Sequence, residues 1–277
     1  MKKSALFFAI SLALAPAASA DIFSGVTSDN NLVTFDSSAP NTLLTSRPVT
    51  GLTAGGGNLI NLTYNPADGL YYGLDFAANF YSIDSTGAAT AIPTTFAPSG
   101  FGALAFDPTG GNLVYVSELA EHFTLTTTGT ATRVADFAYS AGDAHAGETP
   151  ALTAAAFDPD FGTPYFIDFQ TDSLVTNVDL NLGSADTVGP LGGPGFDITS
   201  NAALVVDSVG NLYGALSTDG ISSSFYSIDP ATGAATSLGA LTVSLSAISA
   251  AAAVPEPSAA LSGLAALGAC LGRRRRA

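Results

Sequence analysis

Residues 104–115 read LAFDPTGGNLVY, and this stretch decides the fold. A short apolar run leads into an Asp-Pro turn with glycine, and a second apolar run that carries a tyrosine follows. Aspartate caps its own backbone in such a turn, proline presets φ and glycine accepts the left-handed position, so this order of residues predicts a tight β-hairpin. The same unit recurs at three further places, residues 62–73 (LTYNPADGLYYG), 155–166 (AAFDPDFGTPYF) and 205–214 (VVDSVGNLYG).

Each copy continues into a second hairpin. Residues 79–90 (NFYSIDSTGAAT) and 224–236 (SFYSIDPATGAAT) are nearly identical, while residues 122–132 are a looser version and residues 174–187 a degraded one. Four short antiparallel strands per repeat are typical of a propeller blade. The spacings of the turn residues, 42, 51 and 49 positions, fit repeats of about 40–50 residues. The turn residues are Asn65, Asp107, Asp158 and Asp207.

The beginning of this body supplies part of a fifth unit. Residues 23–29 mirror residues 213–219, and residues 32–36 mirror the strand that follows, but an innermost strand is lacking. Residues 241–250 lie at the other end of the body and have no partner in sequence. We therefore predict an all-β, five-bladed β-propeller over residues 21–253, closed by pairing of the N-terminal strands with this C-terminal strand, which hides both sheet edges.

The net negative charge of the body argues against nucleic acids as partners. The 277 residues include 23 acidic and 8 basic side chains, with 47% hydrophobic residues. Between Asp21 and Val254 there are 22 acidic and two basic residues, a net charge of −20. Such a surface repels phosphate backbones, so no nucleic-acid partner is expected, whereas cations and neutral sugars remain candidate ligands. The single cysteine, Cys270, excludes an intramolecular disulfide.

The N-terminus is typical of a secretory signal peptide. Lys2 and Lys3 precede an apolar run over residues 5–15, and small residues end at Ala20. About ten apolar residues are too few to span a bilayer, which argues against the alternative of a membrane anchor. We expect residues 1–20 to be removed by cleavage between Ala20 and Asp21 and the remaining chain to be exported.

The C-terminus carries a three-part pattern over residues 254–277. A Pro-Glu-Pro motif precedes an apolar stretch, residues 258–272, and an arginine cluster follows it; these residues are Pro255, Glu256 and Pro257, then Arg273, Arg274, Arg275 and Arg276. The pattern resembles the PEP-CTERM sorting signal. The resemblance implies a short transmembrane helix, transient anchoring in the inner membrane, recognition by an exosortase-type sorting enzyme, and a final location at the cell surface or in an extracellular polysaccharide matrix. An ordinary tail anchor is the alternative.

The body resembles an uncharacterised domain of exported bacterial proteins. The repeats that carry the resemblance read Leu-Tyr-Gly followed by Tyr-x-Ile-Asp-x-Ala-Thr-Gly-Ala-Ala-Thr, and it extends over residues 23–250. The resemblance implies a propeller-like fold and no assigned activity.

Catalytic groups are scarce in the body. It holds two histidines, no lysine and no cysteine, and it lacks zinc-protease, nucleophile-elbow and phosphate-loop motifs. His122 lies where a third strand begins, beside Glu118 and Glu121; we expect a solvated β-turn there, and a metal or acid-base site is the alternative. His145 lies in the longest loop between blades, residues 139–150, where Asp143 and Glu148 offer oxygen ligands to a divalent cation, although a hydrophilic surface loop is the simpler interpretation.

Carboxylates follow a tyrosine at one spacing in three blades, which places Asp75, Glu118 and Asp168 after Tyr72, Tyr115 and Tyr165. Because second strands run towards one end of a propeller, we expect these acids near the upper rim of the central channel. Three converging carboxylates repel one another unless a cation such as Ca²⁺ or solvent separates them. A solvated acidic rim is the alternative, since the pattern fails at Leu216 and Val26.

Three functions remain open. The first is a non-catalytic propeller that needs no cofactor and binds glycan or protein through one face. The second is a hydrolase or lyase acting on extracellular glycan, in which Ca²⁺ at the acidic rim polarises substrate or water. The third is a spacer without a ligand.

Overall fold

A computed structural model describes residues 21–177 and 179–251. In this part of the chain, 21 strands and one short 3-10 turn, Leu180–Leu182, form five small sheets. In chain order the strands are β1 (Ile22–Thr27), β2 (Asn31–Asp36), β3 (Leu43–Pro48), β4 (Thr63–Asn65), β5 (Leu70–Leu74), β6 (Phe80–Ile83), β7 (Ala89–Ile92), β8 (Gly102–Asp107), β9 (Asn112–Ser117), β10 (His122–Leu125), β11 (Ala131–Arg133), β12 (Ala138–Tyr139), β13 (Leu152–Phe157), β14 (Pro164–Asp168), β15 (Ser173–Thr176), β16 (Ser184–Pro190), β17 (Ala202–Val206), β18 (Leu212–Leu216), β19 (Ser224–Ile228), β20 (Ala235–Ala240) and β21 (Leu245–Ala250).

The sheets are the five blades of a propeller, which confirms the predicted fold class. Blade 1 has the order β21-β1-β2-β3, blade 2 β4-β5-β6-β7, blade 3 β8-β9-β10-β11, blade 4 β13-β14-β15-β16 and blade 5 β17-β18-β19-β20. The innermost strands β4, β8, β13, β17 and β21 contact one another in a closed ring. They surround the central channel.

The inner hairpins form as the turn residues predict. The Thr109 backbone N–H donates to Oδ1 of Asp107 at 2.8 Å, and the Gly111 N–H donates to the Asp107 carbonyl at 2.9 Å. Gly111 has φ +67°, a conformation that residues with a Cβ rarely adopt. Asp158 and Asp207 accept equivalent bonds in blades 4 and 5, so this local chemistry sets the register of the hairpins.

The ring closes between the two ends of the described chain. β1 and β21 pair antiparallel, with Phe23 opposite Ala250 and Gly25 opposite Ile248. A Cβ on Gly25 would lie 3.0 Å from the Leu245 side chain, so the glycine lets the two strands approach. The predicted closure is therefore confirmed, with the difference that the strand begins at Leu245, because the residues before it connect blade 5 to blade 1.

Hydrophobic clusters between neighbouring blades form the core. Between blades 5 and 1, Phe35 and Phe225 meet edge to face at a centroid distance of 5.2 Å, and Tyr213 stacks on Phe225 at 5.5 Å. The outermost strand β3 is largely exposed. Burial is thus concentrated where one sheet packs on the next, the arrangement expected of stacked sheets with alternating side chains.

The connection before blade 4 differs from the expected surface loop. β12 adds to blade 4 as a fifth strand, parallel to β16, with Tyr139 opposite Ala185. Asp143 holds the following turn, because Thr187 donates both its backbone N–H and its hydroxyl to the Asp143 carboxylate at 2.7 and 2.9 Å. A parallel pair between distant segments has no local sequence signal, which explains why the pattern missed it.

The predicted targeting segments at the two ends of the chain lie outside the described residues. This applies to the predicted signal peptide and its predicted cleavage position after Ala20, to the Pro-Glu-Pro motif, to the apolar stretch at 258–272 and to the arginine cluster. Among residues 21–177 and 179–251, no helix is long and apolar enough to cross a membrane.

The closure predicts a specific cross-link. Ser24 and Ser249 are opposite each other on β1 and β21, so the double variant Ser24→Cys, Ser249→Cys, made with Cys270→Ser, should form a disulfide on oxidation. Because the closed loop spans most of the body, the bond should raise stability over the reduced form by up to roughly 5 kcal/mol. Non-reducing electrophoresis and urea unfolding measure both effects. A folded double variant that stays fully reduced under oxidising conditions would contradict the pairing.

Candidate functional site

The two ends of the propeller differ in construction. One end, the loop face, carries the connections between blades and the turns between second and third strands. The other, the hairpin face, carries the turns between first and second and between third and fourth strands. Loops that a rigid scaffold holds in place are common binding surfaces, which favours the loop face as a place for a binding site.

Asp75 lies on the loop face, directly after β5, and is 1% exposed. Its Oδ1 accepts the backbone N–H groups of Ala77 and Asn79, both at 2.9 Å. Its Oδ2 accepts the Asn79 side-chain amide at 2.9 Å and the Tyr81 hydroxyl at 2.8 Å. Four donors satisfy this carboxylate, which therefore organises the turn between β5 and β6.

Asp168 has the same role in blade 4 and is fully buried. Its Oδ2 accepts the Tyr139 hydroxyl at 2.6 Å and the Ala151 N–H at 3.1 Å. Its Oδ1 accepts the Gln170 and Thr171 N–H groups at 2.8 and 3.3 Å. Burial and the nearby Asp168 charge raise the pKa of Tyr139, so the phenol stays protonated and remains a donor.

Glu118 does not occupy the equivalent position, which corrects the predicted pattern. In blade 3 the residue that matches Asp75 is Ser117: each donates its own N–H to the carbonyl four residues later and accepts N–H groups from the turn on its side chain. The common tyrosine spacing misled because Tyr72 aligns with Val114 rather than with Tyr115. Glu118 follows Ser117 in the chain, lies just beyond the end of β9, and is half-buried.

The three predicted metal ligands are not brought together. Within the described ranges, no group of three or more His, Cys, Asp or Glu side chains is placed to hold a metal ion. Asp75 and Asp168 already use their oxygens on protein donors. The Ca²⁺ hypothesis thus gains no support from the geometry and stays a prediction for titration.

His122 is buried in β10 and not in a solvated turn, which corrects that expectation. It is 1% exposed and its ring lies 5.1 Å from the Phe137 ring. Burial lowers the pKa of His122 to about 4. The carbonyls of Ala135 and Leu180 approach the ring without hydrogen bonds of good geometry. They offset the lowering of the pKa only in part. The neutral imidazole is a core side chain.

His145 is held by its own loop. Its Nδ1 lies 3.1 Å from Oε2 of Glu148, its ring packs 5.4 Å from that of Tyr139, and its N–H donates to Asp143 at 2.9 Å. Asp143 is engaged by Thr187, so the three side chains hold the loop together on blade 4 instead of converging on one point.

A pocket of about 270 Å³ opens on the loop face between blades 2 and 3. At its edge Phe76 and Phe101 are 57% and 54% exposed, and their rings meet edge to face at 5.7 Å. Leu119, which is 53% exposed, extends this apolar edge. It lies close to Gly100, because a Cβ added to that glycine would be 2.9 Å from the Leu119 Cγ. We call Phe76, Phe101 and the space beside them the loop-face pocket.

Polar groups line the wall of the loop-face pocket. The Asn61 amide nitrogen donates to the Gly102 carbonyl at 2.7 Å, while its Oδ1 accepts no hydrogen bond among the described residues. Tyr115 donates to the Gly100 carbonyl at 2.6 Å. Burial raises the pKa of Tyr115, with the charges of Glu121 and Glu118 as further causes, so its hydroxyl is protonated at neutral pH.

The buried carboxylate of Glu121, paired with the half-exposed Arg133, holds one side of the pocket. Oε2 of Glu121 accepts the Ser99 and Gly100 N–H groups at 2.7 and 3.1 Å, and Oε1 lies 3.2 Å from Arg133. Glu121 is 3% exposed, and charge-assisted bonds of this kind are stronger than neutral ones. The segment that carries Phe101 is therefore preorganised, and one of the body's two arginines is used for it.

The sequence did not single out this pocket. Repeated aromatic residues at strand spacing indicate core, and most of them are buried, but Phe76 lies in a turn and Phe101 lies in a connection between blades. Their positions outside the repeated strands were the available signal. Their contact depends on the packing of blade 2 on blade 3.

Comparisons with known proteins support the architecture. Residues 31–251 match the family model described as Domain of unknown function (DUF4394). No match is found among curated proteins. A nidogen/laminin complex structure is 13% identical, with a TM-score of 0.54 over 85% of this chain and 100% of that chain. A structural genomics protein of unknown function from Bacteroides thetaiotaomicron VPI-5482 is 17% identical, with a TM-score of 0.50 over 79% and 58%.

A third structure, virginiamycin B lyase from Staphylococcus aureus, is 10% identical, with a TM-score of 0.46 over 76% of this chain and 66% of that chain. At such identities the likeness concerns the fold alone, and the function has to be argued from the site.

The role of Asp168 can be tested by substitution. Asp168→Ala removes the acceptor of four buried or half-buried donors and should lower the free energy of unfolding by about 2–4 kcal/mol. The half-exposed Glu118→Ala is the matched control and should change it by less than about 0.5 kcal/mol. Urea unfolding with and without excess Ca²⁺ measures both. Stabilisation by Ca²⁺ that wild type shows and Asp168→Ala loses would contradict a purely structural role.

The buried histidine predicts an acid-sensitive fold. Its pKa falls from 6.5 to about 4 on folding, so unfolded chains bind the proton first, and stability present above pH 6.5 is lost as the pH falls towards 4. The loss should reach about 3 kcal/mol. His122→Phe, with the residue that Phe80 provides at the same position of blade 2, should remove this component. Equal acid sensitivity of wild type and variant in unfolding experiments would contradict the assignment.

Proposed function

We propose that this chain, which belongs to the family of domains of unknown function DUF4394, is an exported, surface-sorted, non-catalytic propeller that binds a neutral glycan at its loop-face pocket. The observation that carries the proposal is the exposed pair Phe76–Phe101 at the edge of a pocket with polar walls. Contiguous apolar surface on a soluble protein marks an interaction site.

The chemistry of the pocket suits a sugar ring. A sugar presents C–H groups on its faces and hydroxyls around its edge, and aromatic rings attract C–H groups through the negative charge of their π faces. Phe76 and Phe101 provide such surfaces, and the Asn61 amide with the backbone of 98–101 provides polar groups nearby. The volume of about 270 Å³ is close to the lower limit of small-molecule pockets, which fits one or two sugar units of a longer chain.

The net negative charge of the body favours some glycans over others as ligands. The body carries 22 acidic and two basic side chains, and Asp75 lies in the pocket wall. An anionic polysaccharide rich in uronate would be repelled, whereas a neutral or amino-bearing polymer would not. The proposed ligand is therefore a neutral chain of an extracellular matrix.

The position of the chain ends supports display of this face. Asp21 precedes β1, and Ala251 follows β21, so both leave the propeller at the hairpin face. A tail that carries Pro255-Glu256-Pro257 and an apolar stretch, handled by an exosortase-type enzyme at the membrane, would hold the hairpin face towards the membrane. The loop-face pocket would then point away from it, towards the matrix.

The alternative of a Ca²⁺-assisted hydrolase or lyase has less support. It requires Asp75, Glu118 and Asp168 to share a cation, and two of them are saturated by protein donors on separate blades. Surface sorting and glycan binding need no such group, so the binding function is preferred.

Glycan binding is tested by substituting each residue of the aromatic pair separately. Residues 21–251 screened on neutral and uronate-bearing polysaccharides should bind a neutral one, and Phe76→Ala or Phe101→Ala should each weaken binding about tenfold in calorimetry. Phe161→Ala is the matched control, because Phe161 is 81% exposed on the hairpin face, and should leave affinity unchanged.

Two results would overturn the proposal. One is preference for uronate-bearing polymers, and the other is an equal loss of affinity in Phe161→Ala. Circular dichroism and unfolding curves of the variants separate lost binding from lost folding.

A further inference from the structure

A second cavity lies at the opposite end of the molecule. The central channel widens towards the hairpin face into a space of about 440 Å³. Its wall is largely apolar and comes from all five innermost strands and the residues next to them; the large apolar side chains include Leu62, Leu104, Phe106, Phe157, Leu204 and Ile248. Towards the loop face the channel narrows, and the space there has a volume of only about 20 Å³. Alanines are the commonest residues around it. The cavity is thus a funnel that narrows towards the loop face, and its volume is within the usual range of small-molecule sites.

The closure of the propeller keeps the funnel open. In blades 2 to 5 a hairpin turn joins the first and second strands, and Pro66, Pro108, Pro159 and Ser208 of these turns line the mouth. In blade 1 the same two strands, β21 and β1, belong to opposite chain ends, and Ala251 lies there instead of a turn. One side of the mouth is therefore free of a hairpin.

Carboxylates lie at and beside this mouth: Asp207 lines the cavity, whereas Asp107 and Asp158 come directly before Pro108 and Pro159, which line it. The capping residue of three turns is aspartate, namely Asp107, Asp158 and Asp207, and each uses Oδ1 to hold its own turn. Oδ2 of Asp107 and of Asp158 accepts no hydrogen bond from the described residues. Burial and the charge of Asp207 raise the pKa of Asp21, as expected where like charges are close. Neither Arg47 nor Arg133 lines the cavity.

An apolar funnel with a negative rim selects an amphipathic cation. The wall favours a hydrocarbon body, and the rim favours an ammonium group and repels a carboxylate. The carboxylates are too far apart to hold a metal ion as a group of three, so the rim acts through its field on a larger, organic head group. A sugar does not fit this site, because the wall offers few hydrogen-bond partners for its hydroxyls.

We propose that the funnel on the hairpin face is a binding site for an amphipathic amine, with its apolar body between the innermost strands and its ammonium group at the ring of turn aspartates. This site is separate from the loop-face pocket and does not depend on the function proposed for that pocket. It gives the two faces different ligands, a neutral glycan at one end and a hydrophobic cation at the other.

The charge preference is tested with three probes of known chemistry. Octylamine should bind wild type in calorimetry, octanol should bind more weakly, and octanoate should bind at least about tenfold more weakly than octylamine. Octanoate binding as tightly as octylamine would overturn the proposal, and so would the absence of octylamine binding.

Variants locate the site. Asp107→Asn with Asp158→Asn keeps the capping Oδ1, and blade 2 already has asparagine, Asn65, at this turn position, so the variant should fold. It should weaken octylamine binding about tenfold and leave octanol binding unchanged. An equal change for both probes would overturn the role assigned to the aspartates.

A plug variant separates the funnel from other apolar surfaces. Ser208 is exposed at the mouth, so Ser208→Phe should block entry and abolish octylamine binding, whereas Ser85→Phe in an exposed turn of blade 2 is the matched control and should not. Phe76→Ala should also leave octylamine binding intact. Loss of binding in Phe76→Ala and not in Ser208→Phe would place the amine at the loop-face pocket and refute the funnel site.

Discussion

The antiparallel pairing of β1 with β21 joins the two ends of the described chain and completes the ring of innermost strands. Without it, blade 1 has no innermost strand and two sheet edges are open to water or to other chains. Blades 5 and 2 then lose a neighbour, since the clusters of buried side chains lie between blades and not within them. The pairing also determines where the chain ends leave the molecule and why one side of the channel mouth has no hairpin.

Acidic residues dominate the body, and the structure shows how they are tolerated. Asp75 and Asp168 are buried and have no cationic partner in the described part of the chain, yet each accepts four hydrogen bonds from backbone N–H groups and side-chain donors. Asp107 caps a turn at the surface. Turn organisation thus accounts for many carboxylates, and the buried Glu121, paired with the half-exposed Arg133, adds support to one connection between blades.

The two faces of the propeller have opposite chemistry. The loop face presents exposed aromatic rings beside polar walls, because a turn within blade 2 carries Phe76 and a connection between blades carries Phe101, both without the constraint of a strand. The hairpin face presents tight turns with carboxylates at and beside the mouth of an apolar funnel, because the capping residue of each turn lies at or directly after the end of an innermost strand. The repeated blades therefore carry two cavities of different chemistry at the two ends of the propeller.

Blade number, strand order and closure were predictable from the repeated turns, because Asp-Pro and glycine determine a hairpin through contacts within a few residues. The signal peptide and the sorting tail were predicted from charge and apolar length alone, and both stay predictions because they lie outside the described residues. The position of Glu118 was mistaken because a shift of one residue reverses the face of a strand, and the tyrosine spacing did not reveal the shift.

Only the tertiary structure decided the burial of His122, the contact of Phe76 with Phe101, the parallel strand β12 and the funnel. Each depends on how one blade packs against another, a relation between residues far apart in the chain, whereas the sequence by itself determined the blades and their turns through local backbone chemistry.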